Sequence, residues 1–223
     1  KDEIIKGLRL GVISGDTVLV LCGSSLKNSG VVTLMNAIQN FFPSPAETDG
    51  YTVKDLKTDK EEKRKYDTNL PLSSRVFKTV ADPFVGKISM FKVMSGSVTA
   101  DSEVYNASKE KKERLSGLFL LRGKKQIPMT KLVAGDIGAV AKLQFTTTGD
   151  TLCDPQNPVM FEPIQFPEPN ISMAVELKNK GDEDKIGSGL QRLMEEDPTL
   201  KVEKNQETRQ TLISGLGEQH LEI

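Results

Sequence analysis

Few side chains in this sequence could carry out chemistry by their type and spacing. The nearest approach to a phosphate-binding loop is GLFLLRGKK at 117–125, but its two glycines stand one residue too far apart. Lys125 also occupies the position of the Ser or Thr that would bind Mg²⁺. The only histidine, His220, has no second histidine with which to form a metal pair. We therefore expect no catalytic residue and no metal site in this chain, and a structural role for His220 beside Glu218.

A basic run is the stronger candidate, and its chemistry would be binding. The sequence KEKKERL at 109–115 is followed by RGKK at 122–125, and clustered cations of this kind suit phosphate backbones. The alternative is a charged hairpin whose side chains are only solvated, because the run lacks interleaved aromatic residues. The candidate RNA- or ribosome-contacting residues are Lys109, Lys111, Lys112, Arg114, Arg122, Lys124 and Lys125.

The distribution of charge separates the middle of the chain from its end. The 223 residues carry a net charge of -1, but residues 70–155 hold 13 basic and 8 acidic side chains, whereas residues 168–223 hold 7 and 12. No apolar run approaches the roughly 18 residues of a membrane helix, so we expect no membrane association. Two cysteines, Cys22 and Cys153, are too few for a disulfide framework or a zinc site, which is typical of a reducing cytosol.

The first segment, residues 1–45, is predicted to be the C-terminal tail of an α/β domain. The β-branched run VLVLC at 18–22 predicts a strand, and the apolar spacing up to Phe42 predicts a helix that Asn28 or Ser29 caps. One strand and one helix do not make a domain, so the rest of the sheet should lie upstream in a longer protein. Residues 46–70 are polar and proline-flanked, and they are predicted to form a linker or surface loop.

The second segment, residues 71–165, is predicted to be a small β-barrel. Short β-rich runs alternate with glycine turns from 75 to 154, and no helical period is present. Closure into a barrel would remove the exposed edges of such a sheet.

The third segment, residues 166–223, is predicted to be a truncated ferredoxin-like α+β domain. ISMAVEL at 171–177 alternates as a strand does, and a helix follows that ends before Pro198. Two further strands, at 201–204 and 211–214, precede a second helix. This β-α-β-β-α order is one strand short of the complete fold. Gly187 and Gly189, within the first helix, are expected to permit the close approach of a neighbouring backbone.

Specific motifs of the sequence resemble the bacterial elongation factor G family of translational GTPases. DPFVGKISMFKVMSG (82–96), AGDIGAVAKL (134–143) and TTTGDTLCD (146–154) are similar to the second-domain barrel of that family. LMEEDPTL (193–200) and TLISGLGEQHLEI (211–223) are similar to its third domain. CGSSLKNSGV (22–31) resembles the loop that closes over the guanine base, and FFPSP (41–45) resembles the end of the P-loop GTPase domain.

The resemblance implies a cytoplasmic, monomeric, ribosome-dependent GTPase that promotes translocation of tRNA and mRNA. GTP and Mg²⁺ would be bound by a P-loop outside this chain, which docks and relays rather than hydrolyses. Only the guanine would reach this chain, at Ser24, Ser25 and Leu26, and the partners would be ribosomal RNA and ribosomal proteins. A ribosome protection or recycling GTPase, or a non-catalytic RNA- or ribosome-binding module, remains an alternative. The stretch LRGKKQIPMTKLVAGDI departs from the family's barrel, which favours a divergent paralogue.

Overall fold

In the computed structural model, the chain divides into two compact units, residues 1–50 and residues 51–223. The structure describes residues 2–123, 125–176 and 183–222. No helix in these ranges is long and apolar enough to cross a bilayer.

The first unit is helical. It contains α1 (Asp2–Ser14), α2 (Val31–Phe41) and a short 3₁₀ turn (Pro45–Glu47). Arg9 of α1 donates to the carbonyl oxygen of Asn40 at 2.7 Å and to both carboxylate oxygens of Glu47, at 2.7 and 2.8 Å. The hydrogen bond from Arg9, with those from the Ser44 backbone and side chain, lowers the pKa of Glu47 to about 2. This ionic link ties the start of the unit to its end.

Two predictions for this unit are corrected. Residues 18–22 belong to no strand of the described chain, and Val18 and Val20 are 84% and 91% exposed. A strand is defined by its hydrogen-bonded partner, and no partner is present for this run among the described residues. Helix α2 begins as predicted, but its N-cap is Gly30, without a side-chain hydrogen bond, rather than Asn28 or Ser29. Helix α1 was not predicted, although Ile4, Ile5 and Leu8 follow a helical spacing.

The second unit is built mainly from antiparallel strands. An eight-stranded sheet has the order β7-β6-β12-β3-β4-β11-β8-β9, and a separate ribbon pairs β5 with β10. The bounds of these strands are β3 (Ser73–Asp82), β4 (Gly86–Ser95), β5 (Ser97–Thr99), β6 (Glu103–Asn106), β7 (Lys111–Arg114), β8 (Leu118–Arg122), β9 (Lys125–Met129), β10 (Lys131–Val133), β11 (Ile137–Ala141) and β12 (Thr151–Cys153).

One core lies inside the curved sheet and the ribbon, as expected for a barrel. Side chains from most of these strands, among them Val76 of β3, Phe91 of β4, Val98 of β5 and Leu132 of β10, form one buried cluster. The fold-class prediction of a β-barrel is confirmed in this segment. Gly96 allows the turn from β4 into β5: its φ is 71°, and a Cβ there would lie 2.6 Å from the carbonyl oxygen of Leu70.

The segment 46–70 is not a loop throughout, contrary to the prediction. It contains β1 (Tyr51–Asp55) and β2 (Glu61–Arg64), which pair antiparallel, and β1 also pairs with β13 (Val159–Met160). Val53 and Val159 are buried with Cys153 and Phe161 in a second cluster. The hairpin shows no hydrophobic alternation in the sequence, because β2 is EEKR and only one apolar side chain of β1 is fully buried.

The last part of the unit is a three-stranded antiparallel sheet with helices, in the predicted β-α-β-β-α order. Its sheet order is β14-β16-β15, and the alternating burial of β14 is confirmed up to residue 175. Leu177 and Asp182, which the predicted strand and helix start included, lie outside the described residues. The bounds are β14 (Ile171–Val175), α3 (Glu183–Glu196), β15 (Lys201–Lys204), β16 (Thr211–Gly215) and α4 (Glu218–Glu222).

The prediction for the two helix glycines is wrong. A Cβ added at Gly187 or at Gly189 would meet nothing within 4 Å, so no neighbouring backbone approaches either residue among those described.

Candidate functional site

The loop before α2 folds back on itself through backbone hydrogen bonds. The N–H of Ser24 donates to the carbonyl oxygen of Ser29 at 2.9 Å, and the N–H of Ser29 donates back at 3.0 Å. The Ser24 hydroxyl accepts from the Lys27 N–H at 3.3 Å. Within the part of the chain that the structure describes, no hydrogen bond uses the backbone N–H of Ser25 or of Leu26. These adjacent free donors could bind a carbonyl oxygen of a planar ligand.

Two glycines allow this loop to close. A Cβ at Gly23 would lie 2.7 Å from the carbonyl oxygen of Ser29, and a Cβ at Gly30 would lie 2.8 Å from that of Cys22. Gly30 also has a φ of 78°. The loop lines a cleft of about 250 Å³, whose walls include Leu21, Cys22 and Leu34. Leu26, at the tip, is 96% exposed.

The basic run 109–115 contains part of the turn and the second strand of the β6–β7 hairpin. Val104 and Glu113 are buried, so the alternation of the strands places Lys112 and Arg114 on the opposite, outer face. Lys112 pairs with Glu103 on the neighbouring strand at 2.8 Å. Lys111 and Arg114 are exposed and make no ion pair with any described residue. Unlike Lys109 and Lys112, these two cations are not neutralised by a described carboxylate, so they are the most available to a phosphate.

Lys109 belongs to a buried polar network rather than to the outer face alone. Its Nζ lies 3.7 Å from a carboxylate oxygen of Asp150. Asn106, fully buried, donates to the same carboxylate and to the Thr146 hydroxyl, each at 2.9 Å. Glu113 accepts from the backbone N–H groups of 144 and 145 and from the Thr146 hydroxyl. These hydrogen bonds connect the hairpin to the loop after β11. The spacing of these residues in the sequence did not predict the network.

The remaining predicted cations lie on a different hairpin. Arg122 and Lys125 are directly opposite one another at the end of the β8–β9 pair, and both are exposed. Lys124 lies outside the described residues. Strands β7 and β9 stand at opposite ends of the eight-strand order. The structure therefore brings the cations of 109–114 together on one hairpin and places Arg122 and Lys125 on another.

His220 holds the second helix of the last module. Its Nδ1 accepts from the N–H of Leu216 at 3.1 Å, which leaves Nε2 to donate to Asp197 at 2.9 Å. Burial acts to raise the pKa of Asp197, but hydrogen bonds from Thr199 and from His220 outweigh it, so this pKa lies below its usual range. Across residues 2–123, 125–176 and 183–222, no group of three or more His, Cys, Asp or Glu side chains could bind a metal.

The two cysteines differ in exposure. Cys153 is fully buried, and burial raises the pKa of its thiol to about 11, so the thiol is protonated and unreactive at neutral pH. Cys22 is exposed.

The architecture is that of a β-barrel joined to a ferredoxin-like α+β module, which are consecutive domains of a multidomain factor. Residues 71–155 match the family model of elongation factor G domain 2, and residues 166–223 match that of elongation factor G domain III. Together these matches cover well over half of the chain. The chain therefore belongs to the elongation factor G family and carries its second and third domains, as the sequence resemblance predicted.

A solved structure gives the same answer at the level of the fold. The chain is similar to a crystal structure of a protein from Thermus thermophilus, with a TM-score of 0.67 and 29% sequence identity. The alignment covers 86% of this chain and 26% of that one. The chain thus spans about a quarter of the length of the protein that it matches.

Proposed function

We propose that this chain is part of a ribosome-dependent GTPase that resembles elongation factor G and promotes translocation of tRNA and mRNA. The observation that carries the proposal is the occurrence of two elongation factor G domains in consecutive order. In this proposal, GTP hydrolysis takes place in a P-loop domain outside the chain. The chain itself docks on the ribosome and relays the change of nucleotide state.

The guanine-facing role is assigned to Ser24, Ser25 and Leu26. The free N–H groups of Ser25 and Leu26 support it, because a guanine base presents a carbonyl oxygen that such donors can bind. The side chain of Ser25 is not required for this contact. The first unit would then be the end of the GTPase domain, and GTP with Mg²⁺ would be held mainly by residues elsewhere.

Docking is assigned to the barrel and to the acidic module. The excess of basic side chains in 70–155 suits ribosomal RNA, and the excess of acidic side chains in 168–223 suits basic ribosomal proteins. The protein would act in the cytoplasm as a monomer.

The relay is assigned to a contact between the barrel and the last module. Glu196, the final residue of α3, accepts from the backbone N–H of Ala81 in β3 at 2.5 Å. Loss of the γ-phosphate releases ordered switch loops in GTPases, and a domain that packs on a barrel can change its position in response. In this proposal the hydrogen bond between Glu196 and Ala81 couples the position of the last module to that of the barrel when the factor changes state.

The test is a peptide-synthesis assay in which the full-length protein replaces the housekeeping translocase. Sustained synthesis with ribosome-stimulated GTP hydrolysis supports translocation, and Glu196→Ala, which removes the acceptor of the Ala81 N–H, should slow synthesis more than it slows hydrolysis. Glu195→Ala, on the same helix, is the matched control. Hydrolysis without synthesis would instead indicate a recycling or protection factor, and absence of ribosome-stimulated hydrolysis would reject the proposal.

A further inference from the structure

A row of three side chains crosses the outer face of the barrel sheet. Arg75 of β3 pairs in register with Lys92 of β4, and Lys92 pairs with Ile137 of β11. The neighbouring residues Val76, Phe91 and Val93 point into the barrel core. Because side chains alternate along a strand, Arg75 and Lys92 stand side by side on the outside.

No ion pair with a described residue neutralises this pair of cations. Neither Arg75 nor Lys92 forms an ion pair with a described carboxylate, and like charges directly opposite one another destabilise a strand pair. Arg75 donates to the carbonyl oxygen of Glu162 at 2.6 Å, but its Nε is buried without a described hydrogen-bond partner. Lys92 lies over the ring of Tyr66, with Nζ 4.9 Å from the ring centre. An anion between the two side chains would relieve the repulsion.

An aromatic surface lies beside the cations. A β-bulge at Phe77 interrupts the register between Val76 and Lys78, and the Phe77 side chain is 39% exposed. Ile137, at the end of the row, is 51% exposed. Phe77, Ile137 and Tyr66 line a cleft of about 350 Å³ together with Arg75, Lys92 and Met94.

This cleft continues in both directions over the sheet. It shares Arg75 and Met94 with a cleft of about 640 Å³ under the β1–β2 hairpin, and it shares Ile137 with a cleft of about 390 Å³ that reaches Arg122. Glu61 and Glu162 line the 640 Å³ cleft and would repel a phosphate there. The favourable phosphate position is therefore between Arg75 and Lys92, with Arg122 available to a neighbouring phosphate.

We propose that Arg75, Lys92 and Phe77 bind an unpaired nucleotide of RNA, with the phosphate between the two cations and the base stacked on the phenyl ring. Single-stranded nucleic acids are bound in this way, by cations along the backbone and aromatic rings against the bases. A purely apolar partner would leave the cations without a counter-charge. The choice of RNA rests on the proposed ribosomal function, whereas the chemistry of the site stands on the side chains described. This surface is separate from the β6–β7 hairpin.

The test measures binding of a fluorescein-labelled single-stranded RNA octamer to the 223-residue chain by fluorescence anisotropy, over a range of salt concentrations. The double variant R75Q/K92Q should reduce the slope of log affinity against log salt by about 0.7, since the two cations hold one phosphate and each phosphate contact on a single strand contributes about 0.7. Phe77→Leu should weaken binding about tenfold, because loss of a stacking ring has an effect of this order. Lys131→Gln, an exposed lysine on β10, is the matched control and should bind like the unmodified chain.

The outcomes separate this inference from the proposed function. The inference would be overturned if the octamer did not bind, or if R75Q/K92Q bound it as the unmodified chain does. It would also be overturned if the matched duplex or free GTP bound this surface as tightly as the octamer. Thermal melting of each variant, followed by circular dichroism, shows whether a loss of binding is caused by unfolding. Phe77→Leu changes a partly exposed residue, so it still tests the site if R75Q/K92Q is unstable. Ribosome binding of the full-length protein is measured in parallel. If that binding fails while the octamer still binds through Arg75 and Lys92, the proposed function fails and the inference stands.

Discussion

At the scale of single residues, the most consequential side chain in the basic hairpin is an acid. Glu113 lies between Lys112 and Arg114 in sequence, yet it is only 6% exposed, whereas its two neighbours face outward. It satisfies two backbone N–H groups and one hydroxyl of the loop at 144–146. Buried donors without a partner are costly, so the hairpin depends on this carboxylate for its position.

Replacing Glu113 by Leu should destabilise the barrel by about 2–4 kcal/mol, since at least two donors would lose their acceptor. The measurement is urea unfolding followed by circular dichroism. Glu103→Leu on the same hairpin is the control, because its only described partner is the exposed Lys112 and such surface pairs contribute less than about 1 kcal/mol. Equal losses from the two substitutions would show that Glu113 is not held as described.

At the scale of secondary-structure elements, the sequence predicts strands and helices well where one face is buried. The runs at 76–80, 87–96 and 118–123 were recognised by composition and turns, and they correspond to β3, β4 and β8, with Gly96 and Gly123 just past the strand ends. The β1–β2 hairpin was missed because β2 is EEKR, which carries no hydrophobic alternation. Its place is fixed by pairing between distant residues, such as Asp55 with Val159, and no local pattern encodes such a contact.

The candidate site follows the same division. The hairpin of cations was found from its local charge cluster, and the loop at 22–31 was found from its resemblance to the guanine loop of the family. The row of Arg75 and Lys92 was not found, because the two residues are 17 positions apart and meet only through strand register. The ion pairs of Lys112 with Glu103 and of Lys109 with Asp150 could not be predicted either, because they depend on how the strands pair.

Helix α3 contains two positions where glycine serves no described contact. Ala at Gly187 and Gly189 should stabilise the module by about 0.5–1 kcal/mol each, because glycine loses more conformational freedom in a helix and a Cβ meets open space at both sites. Thermal unfolding of the chain measures this. Gly96→Ala should act in the opposite direction, because its φ of 71° and the nearby Leu70 carbonyl exclude a side chain. Destabilisation by the helix substitutions would show that a Cβ at these two positions does not meet open space.

At the scale of the whole molecule, the exposed and unpaired cations of the hairpin define a test of ribosome docking. Lys111→Glu with Arg114→Glu should reduce the slope of log ribosome affinity against log salt by about 1.4–1.8, which corresponds to two lost phosphate contacts. Sedimentation of the full-length protein with ribosomes at several salt concentrations measures the slope. Lys109→Glu is a poor probe, because it also disturbs the network around Asp150.

Lys131→Glu, on β10 and away from the hairpin, provides the comparison for the same change of charge. An unchanged slope in the Lys111 and Arg114 variant would remove the hairpin from the docking surface. That result would leave two described candidates for RNA, the row of Arg75 and Lys92 on the outer sheet face and the β8–β9 hairpin with Arg122 and Lys125.

The pairing of β1 with β13 joins the segment that enters the barrel to the segment that leaves it. The strand that leads into the barrel and the strand that leaves it are bonded to each other, at Lys54 with Met160 and at Asp55 with Val159. A displacement of β1 would therefore act on β13, and so on the segment that runs towards the last module, through the hydrogen bonds between the two strands.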